Sequence, residues 1–470
     1  MSSIAIDAAA LSALKAHVGP DLYSEDPDEI APHLVEWRDR WRGTTPLVLR
    51  PRTTEDVAKM VSWCAKAGVP ITVQGGNTGL VGGQIPQGEV LLSVQRLNRI
   101  RSVSAQDDIL VIEAGATLAA AHAAALGVER HFPLSLASEG SATIGGLAAT
   151  NAGGVAVLRF GTMRDLTLGI EAVLPDGSIF HGLSRLRKDN TGYDLKNLLI
   201  GAEGTLGVVT AAALKLFPIA PSRATALVAL ADPEAALDLL MALKAQVGPG
   251  LEAFELISGL GLALALRHIE GCRSPFAVPP PWVALIEVAA FHQQDAEGQV
   301  EAALASALDA NLILDAAVAR SEAQRLAFWR LRESQSAAQK PEGAAWKHDV
   351  SVPVAEVARF IRQASAAVEA FAPGVRVAAF GHVGDGNVHF DILQPEGSDG
   401  ARHLALRDQA AKIVHDIVHA MGGSISAEHG LGVMKTAEAL SYKPPATVAA
   451  QRAIRAALDP GRILNPRVLF

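Results

Sequence analysis

The chain has 470 residues, 49% of them hydrophobic and 19% charged, with a formal net charge of -8. That length calls for more than one core, the composition is a folding one, and the charge excludes a broad nucleic-acid surface. A membrane-spanning helix is also excluded, since no run approaches the about 20 apolar residues that one needs; the Ala/Leu stretch 224–247 is broken by Asp232, Pro233, Glu234 and Asp238.

The N-terminus lacks a basic region and carries Asp7, so neither a secretory signal nor a transit peptide is expected. Segment 46–73 reads as strand, helix, strand. Leu47–Leu49 is a short apolar run closed by Pro51, and Thr53 or Thr54 caps a helix with Glu55 and Asp56 in its first turn. Val57, Met60, Val61 and Cys64 recur at helical spacing, which makes Cys64 a core residue rather than a nucleophile. Gly68 ends the helix, and Pro70–Val73 leads straight into a glycine-rich loop, Gln74–Gly83. Strands follow at Val90–Val94, Ile109–Glu113 and Leu168–Leu174, the last closed by Pro175-Asp176-Gly177, and Gly204–Leu216 alternates. Pro218 and Pro221 mark a boundary. Beyond it, strands alternate with Ala/Leu-rich helices up to about Val354, the signature of an α+β domain. A helix ends at Phe371, and Val375–Phe380 and Val388–Leu393 form a hairpin over Gly384–Asn387, where Asp-Gly is a strong turn signal. Helices near 404–421 and 447–458 flank the polar segment Ser426–Lys435. With only Cys64 and Cys272 and no metal-finger spacing, disulfide stapling is excluded and cytoplasmic residence is expected.

Two motifs carry chemistry. Residues Gly75, Gly76, Asn77, Thr78 and Gly79 can bring backbone N–H groups against a pyrophosphate. The loop has no Lys-Ser/Thr ending and no G-x-G-x-x-G with a following acid, so neither a P-loop nor a nicotinamide Rossmann site fits. Further on, His382 and His389 stand seven positions apart across the Asp385-Gly386 turn. A hairpin brings them side by side on facing strands, and two such imidazoles with the carboxylate of Glu428 make a divalent-metal site. His389 alone would be read as a structural histidine; the group of four with His429 would not.

Three segments, Pro70–Gly83, Ser138–Gly154 and Asp189–Gly207, resemble in this order the FAD domain of the vanillyl-alcohol-oxidase/p-cresol-methylhydroxylase superfamily. The resemblance implies a two-subdomain FAD-binding domain plus an α+β substrate domain with an antiparallel sheet. It implies loop 75–79 at the pyrophosphate, and Ser138, Gly145, Asn151, Glu203, Gly204 and Asn465 around the cofactor. No histidine matches the covalent flavin attachment of some relatives, His131 being the nearest, so FAD is expected to be noncovalent. The histidine motifs, Trp329–Glu333, Trp346–Ser351 and Leu464-Asn465-Pro466 are similar to the D-2-hydroxy-acid dehydrogenase branch, most closely its D-2-hydroxyglutarate members. That similarity implies zinc or another divalent ion on His382, His389 and Glu428, with His429 as base and Arg332, Ser336 and Lys347 at substrate carboxylates. Lys435 ranks lower. Asp391 departs from the asparagine common in that branch, and an acid there repels a substrate carboxylate or adds an oxygen ligand near the metal. The implied partners are a small 2-hydroxy acid and an electron-carrier protein of electron-transfer-flavoprotein type, or a quinone, with a homodimer as an allowed assembly. D-lactate, D-malate or glycolate oxidation and a non-catalytic flavin subunit are the rival readings. The expected organisation is an FAD domain over 1–219, a substrate domain over 220–424 and a returning segment over 425–470.

Overall fold

A computed structural model describes residues 6–291 and 295–469. The chain divides into two compact units: Met1–Gly153, Gly161–Ile219 and Glu428–Phe470 form the first, and Gly154–Phe160 with Ala220–Ala427 the second. Among the described residues, no helix is long and apolar enough to cross a membrane.

The first unit holds a small four-stranded sheet of β1 (Tyr23–Ser24), β2 (Val48–Leu49), β3 (Ile71–Gln74) and β4 (Val90–Ser93) in the order β1-β2-β4-β3. β2, β4 and β3 run parallel, so their carboxyl ends share one edge, where ligands of parallel sheets bind. The helix Thr54–Ala67 connects them as expected: Thr53 and Asp56 form a capping box and Gly68 closes the helix in the left-handed region at φ 66°. Cys64 is buried beneath it, and burial pushes its thiol up to about 12, so it is a core residue. An antiparallel five-stranded sheet follows, made of β5 (Ile100–Ser104), β6 (Ile109–Glu113), β8 (Thr167–Val173), β9 (Ile179–Gly182) and β10 (Val208–Lys215) in the order β5-β6-β10-β8-β9. A two-stranded ribbon pairs β7 (Arg130–His131) with β11 (Phe217–Pro218).

The second unit is built on one seven-stranded antiparallel sheet, giving the expected α+β architecture. Its strands are β12 (Ser222–Leu230), β13 (Leu251–Ser258), β14 (Trp282–Ala290), β15 (Asp315–Val318), β16 (Ala345–Ser351), β17 (Arg376–Gly381) and β18 (Asn387–Leu393), in the order β15-β12-β14-β13-β17-β18-β16. Because side chains alternate along a strand, each face has its own core. Phe254, Leu256, Trp346, Val350, Val388, Phe390 and Ile392 pack with Phe360, Ile361, Val414 and Val418 on one face. Ile257, Ala378 and Leu393 pack with Leu262, Leu264, Phe328 and Trp329 on the other. The excursion Gly154–Phe160 joins this unit because Arg159 pairs with buried Glu252 of β13 at 2.6 Å. Leu158 packs partly buried against the first of these cores. The helix expected over 404–421 is two helices, Gly400–Ala405 and Arg407–Ala420, separated at Leu406.

Glu342 closes the turn Lys340–Glu342, which lies between the helix carrying Ser336 and the strand carrying Lys347. Arg376 at 2.6 Å and His268 at 2.6 Å, with Arg267 nearby, hold its carboxyl down at about 2, from an ordinary 4.5. A depressed acid adds stability that is complete above the unfolded value and vanishes as pH falls through the folded one. Urea unfolding of Glu342→Gln should therefore show a deficit against wild type at pH 6 that shrinks between about pH 4.5 and pH 2. An unchanged deficit across that window would show that the ion pairs do not stabilise the turn.

Candidate active site

In the first unit, the carboxyl end of β3 opens into the glycine loop. Gly75 and Gly76 lie directly against Thr143 and Ser141; a Cβ on Gly76 would overlap the Ser141 carbonyl oxygen and sit 2.8 Å from its carbon. The absent side chains thus bring two of the three motif segments together, and Gly145 in turn lies against Ala114, to whose carbonyl its N–H donates at 2.7 Å. Thr143 contributes a buried hydroxyl with no hydrogen-bond partner in the protein, the kind of group a bound polar ligand satisfies. Asn77 adopts φ 55°, and its side-chain amide donates to the carbonyls of Pro32 and Val35, so any contact it makes with a cofactor comes from its backbone. Gly79 accepts from Gln84, and Thr78 is half-buried beside it. Gln95 donates to the Gly75 carbonyl and borders a cavity of about 240 Å³. That cavity is lined by Arg96 and by Arg50, which pairs with Glu29 of the same lining at 2.7 Å, residues the sequence reading did not single out. These features fit a phosphate-bearing cofactor.

The remaining residues expected around the cofactor also make hydrogen bonds within the first unit. The carboxylate of Glu203 accepts from the backbone of Leu431 at 2.9 Å and Gly432 at 2.8 Å, and burial pushes its pKa up against those two amides. Asn465 accepts from Val73 and donates to the Glu203 carbonyl, beside Gly204 at φ 71°. Both side chains therefore tie segments of the first unit together. Asn151 closes the helix Ile144–Thr150 at φ 52° and accepts from the Arg164 amide, and Ser138 is half-buried, its carbonyl accepting from Ser141 and Ala142.

In the second unit, strand register decides the site. β17 and β18 pair with Phe380 opposite His389 and Ala378 opposite Asp391, and β16 places Asp349 opposite His389 and Lys347 opposite Asp391. His382 is not on a facing strand, as the hairpin reading had it, but is the first residue beyond β17, ahead of the turn 383–386. The two imidazoles still meet, with ring centroids 5.8 Å apart and planes at 73°. Burial pushes Asp385 in that turn up to about 6, with His382 pulling it back. Ser424 bridges Ser351 of β16, and the Ala427 amide donates to Asp349 at 3.3 Å. Glu428 is the next residue in the chain. Among the described residues, one potential ligand atom each from His382, His389 and Glu428 lies within 4.8 Å of the others. Two nitrogens and a carboxylate oxygen suit zinc or a similar divalent ion, whose ligands stand about 3.3 Å apart in a tetrahedral shell. His429 follows, half-buried.

The residues expected at substrate carboxylates are more committed than the sequence suggested. Arg332 lies in the last turn of the helix Glu322–Glu333 and is buried, with its Nε donating to Glu255 at 2.5 Å and its guanidinium 5.1 Å from the Phe380 ring centroid. Lys347 donates to Gln339 at 2.7 Å and to Asp391 at 2.8 Å. Asp391 is thus neither an unpaired repelling acid nor one of the three grouped ligands; its cross-strand lysine neutralises it. Ser336 lies half-buried on the one-turn helix Gln335–Ala338. Glu255 was missed. Burial alone would raise its pKa, but Arg332 and His382 override that and hold it down at about 2. The available signal was an acid in the middle of the apolar run Leu251–Ser258, every residue of which is buried.

Residues 45–182 match the model of the FAD binding domain, and residues 219–469 match that of FAD linked oxidases, C-terminal domain. The chain belongs to the FAD-linked oxidase family. It is an FAD-linked oxidoreductase, as the resemblance implied. It is 36% identical to the mitochondrial D-2-hydroxyglutarate dehydrogenase of Arabidopsis thaliana, over 98% of this chain and 81% of that one. It is 34% identical to D-2-hydroxyglutarate dehydrogenase of Xanthomonas citri, over 95% and 93%. Among solved structures, p-cresol methylhydroxylase with substrate bound matches with a TM-score of 0.77 at 16% identity, over 98% of this chain and 96% of that one. Alkyldihydroxyacetonephosphate synthase matches with 0.73 at 18%, over 100% and 87%, so the two share the fold.

The glycine contacts make a prediction. Gly76→Ala must push the loop off Ser141, an overpacking strain of about 1–3 kcal/mol. The purified variant should fold but carry flavin well below one per chain by visible absorbance. Full flavin occupancy would show that loop 75–79 does not border the cofactor.

Proposed function

We propose that this family member oxidises a D-2-hydroxy acid, D-2-hydroxyglutarate to 2-oxoglutarate in the leading reading, with a divalent ion held by His382, His389 and Glu428. The observation that carries it is the gathering of those three ligand atoms within 4.8 Å, immediately before His429, in a chain whose curated relatives are named for that activity. When bound, noncovalent FAD would supply the acceptor for the two electrons leaving C2, and a divalent cation would supply the positive charge that acidifies the hydroxyl. The protein's own work is to hold the hydroxyl beside His429 Nδ1 or Nε2, which takes its proton near neutral pH as C2–O becomes a carbonyl. Arg332 suits the C1 carboxylate, because a guanidinium held by one edge still offers donors on the other. The Gly-Leu-Gly loop after His429 is anchored by Glu203.

The Lys347–Asp391 pair favours a second reading on the same scaffold. A lysine already neutralised at 2.8 Å attracts a distal carboxylate less, which suits a shorter acid such as D-lactate or glycolate.

Anaerobic mixing with a panel of D-2-hydroxy acids, with and without chelator, tests both readings. Flavin absorbance should bleach with D-2-hydroxyglutarate and fail to bleach at a comparable rate after metal removal. A higher kcat/KM for D-lactate would hand the substrate to the second reading. No bleaching with any acid would make the protein a flavin carrier, and full activity after stripping would sink the metal. His429→Ala should lower kcat by about 10²–10⁴ with flavin and zinc still bound, the range for losing a general base. A near-normal kcat would assign the proton to another group.

A further inference from the structure

Glu255 lies in the middle of β13, fully buried, in a strand whose neighbours Phe254, Leu256 and Ile257 are core. An ionised carboxylate is retained in such a place only when both its oxygens are matched by donors. Here they are divided between two groups of the candidate site. Oε2 accepts from Arg332 Nε at 2.5 Å, and Oε1 faces His382 Nδ1 at 2.5 Å. On the far side of the imidazole, Arg332 NH2 stands 3.5 Å from His382 Nε2.

One neutral form of the ring satisfies both of these contacts. A carboxylate only accepts and a guanidinium only donates. The proton therefore sits on Nδ1, toward Glu255, and the lone pair sits on Nε2. The Arg332 contact at 3.5 Å is at the long end for a hydrogen bond, so it is weak enough to give way to a cation.

We infer that Glu255 is the positioning residue of the metal group: it fixes His382 as the Nδ1–H tautomer with Nε2 as its ligand atom, and the same carboxylate sets the orientation of Arg332. The inference rests on the divalent-ion reading of His382, His389 and Glu428. It also explains the acid in the apolar strand. One buried side chain couples the ligand that holds the ion to the cation assigned to the substrate carboxylate. Neither can rotate without leaving a buried charge unmatched.

Glu255→Gln keeps the volume and replaces one accepting oxygen by a donating amide. Whichever way the amide sits, either Arg332 or His382 now faces a donor. The histidine can respond only by moving its proton to Nε2, which a metal must then displace. Loss of such an outer partner weakens metal binding by about 10–100-fold.

The test uses the full-length flavoprotein, stripped with chelator and titrated with Zn²⁺ against a competing chromophoric chelator. Thermal unfolding with and without Zn²⁺ accompanies it. Glu255→Gln should bind Zn²⁺ about 10–100-fold more weakly than wild type, and its Zn²⁺-induced rise in Tm should shrink. A purely structural role would lower both melting temperatures alike and leave the Zn²⁺ affinity unchanged, which overturns the inference. Wild-type protein that binds no Zn²⁺ overturns the metal reading and this inference together, whereas equal binding by wild type and variant overturns this inference alone. Should the variant fail to fold, ¹⁵N-imidazole spectra of metal-stripped wild type, with His382 assigned through His382→Gln, read the tautomer directly. A proton on Nε2 overturns the inference, and one on Nδ1 supports it.

Discussion

Period-two alternation across a seven-stranded antiparallel sheet is the constraint on which the second unit depends. One register puts Trp346, Val350, Val388 and Phe390 into a large apolar core and, by the same geometry, turns Lys347, Asp349, His389 and Asp391 to the opposite face. A slip of one residue would exchange the two sets, burying charges in the core and placing tryptophan and phenylalanine at the polar site. The apolar face therefore fixes the register, and the register assembles the polar cluster.

Such a cluster is stable only because its charges are matched. Glu255 pairs with Arg332, Asp391 with Lys347, Glu287 with Arg325, and Glu252 with Arg159 and Arg223. Breaking a buried pair by removing one partner is far more costly than never having made it, since the other charge is left desolvated. The pairs hold each side chain in one orientation. They also bear on chemistry: the cations expected to read substrate carboxylates are already engaged, so they offer directed hydrogen bonds more than net positive charge.

The first unit solves a different problem with small residues. Gly75, Gly76 and Gly145 allow close approaches to Thr143, Ser141 and Ala114 where any Cβ would intrude, and left-handed Asn77, Asn151 and Glu203 turn the chain within these segments. Glu203 and Asn465 then link β3 at Val73, the turn at 203–204 and the returning segment at 430–432. Stretches far apart in sequence are thus tied together within the first unit.

Much of this was legible in the amino-acid sequence. The capped helix Thr54–Ala67, the strand leading into the glycine loop, the hairpin turn and the nearness of His382 to His389 all rest on local rules: capping, periodicity, turn chemistry and ligand type. Those rules act over a few residues, or over one hairpin, so a linear reading can apply them. Other features have no local cause. That Asp391 meets Lys347, that Arg332 is held by Glu255, that Glu203 caps a loop 228 positions away and that Gly154–Phe160 belongs to the second unit are decided by which strands lie side by side. A carboxylate's partner is whichever donor the sheet order brings within 3 Å, and hydrogen bonding at that range cannot be read from spacing along the chain. The residue types that could do the chemistry were therefore determined by the sequence itself, while the tertiary structure alone decided which of them are paired and in what orientation.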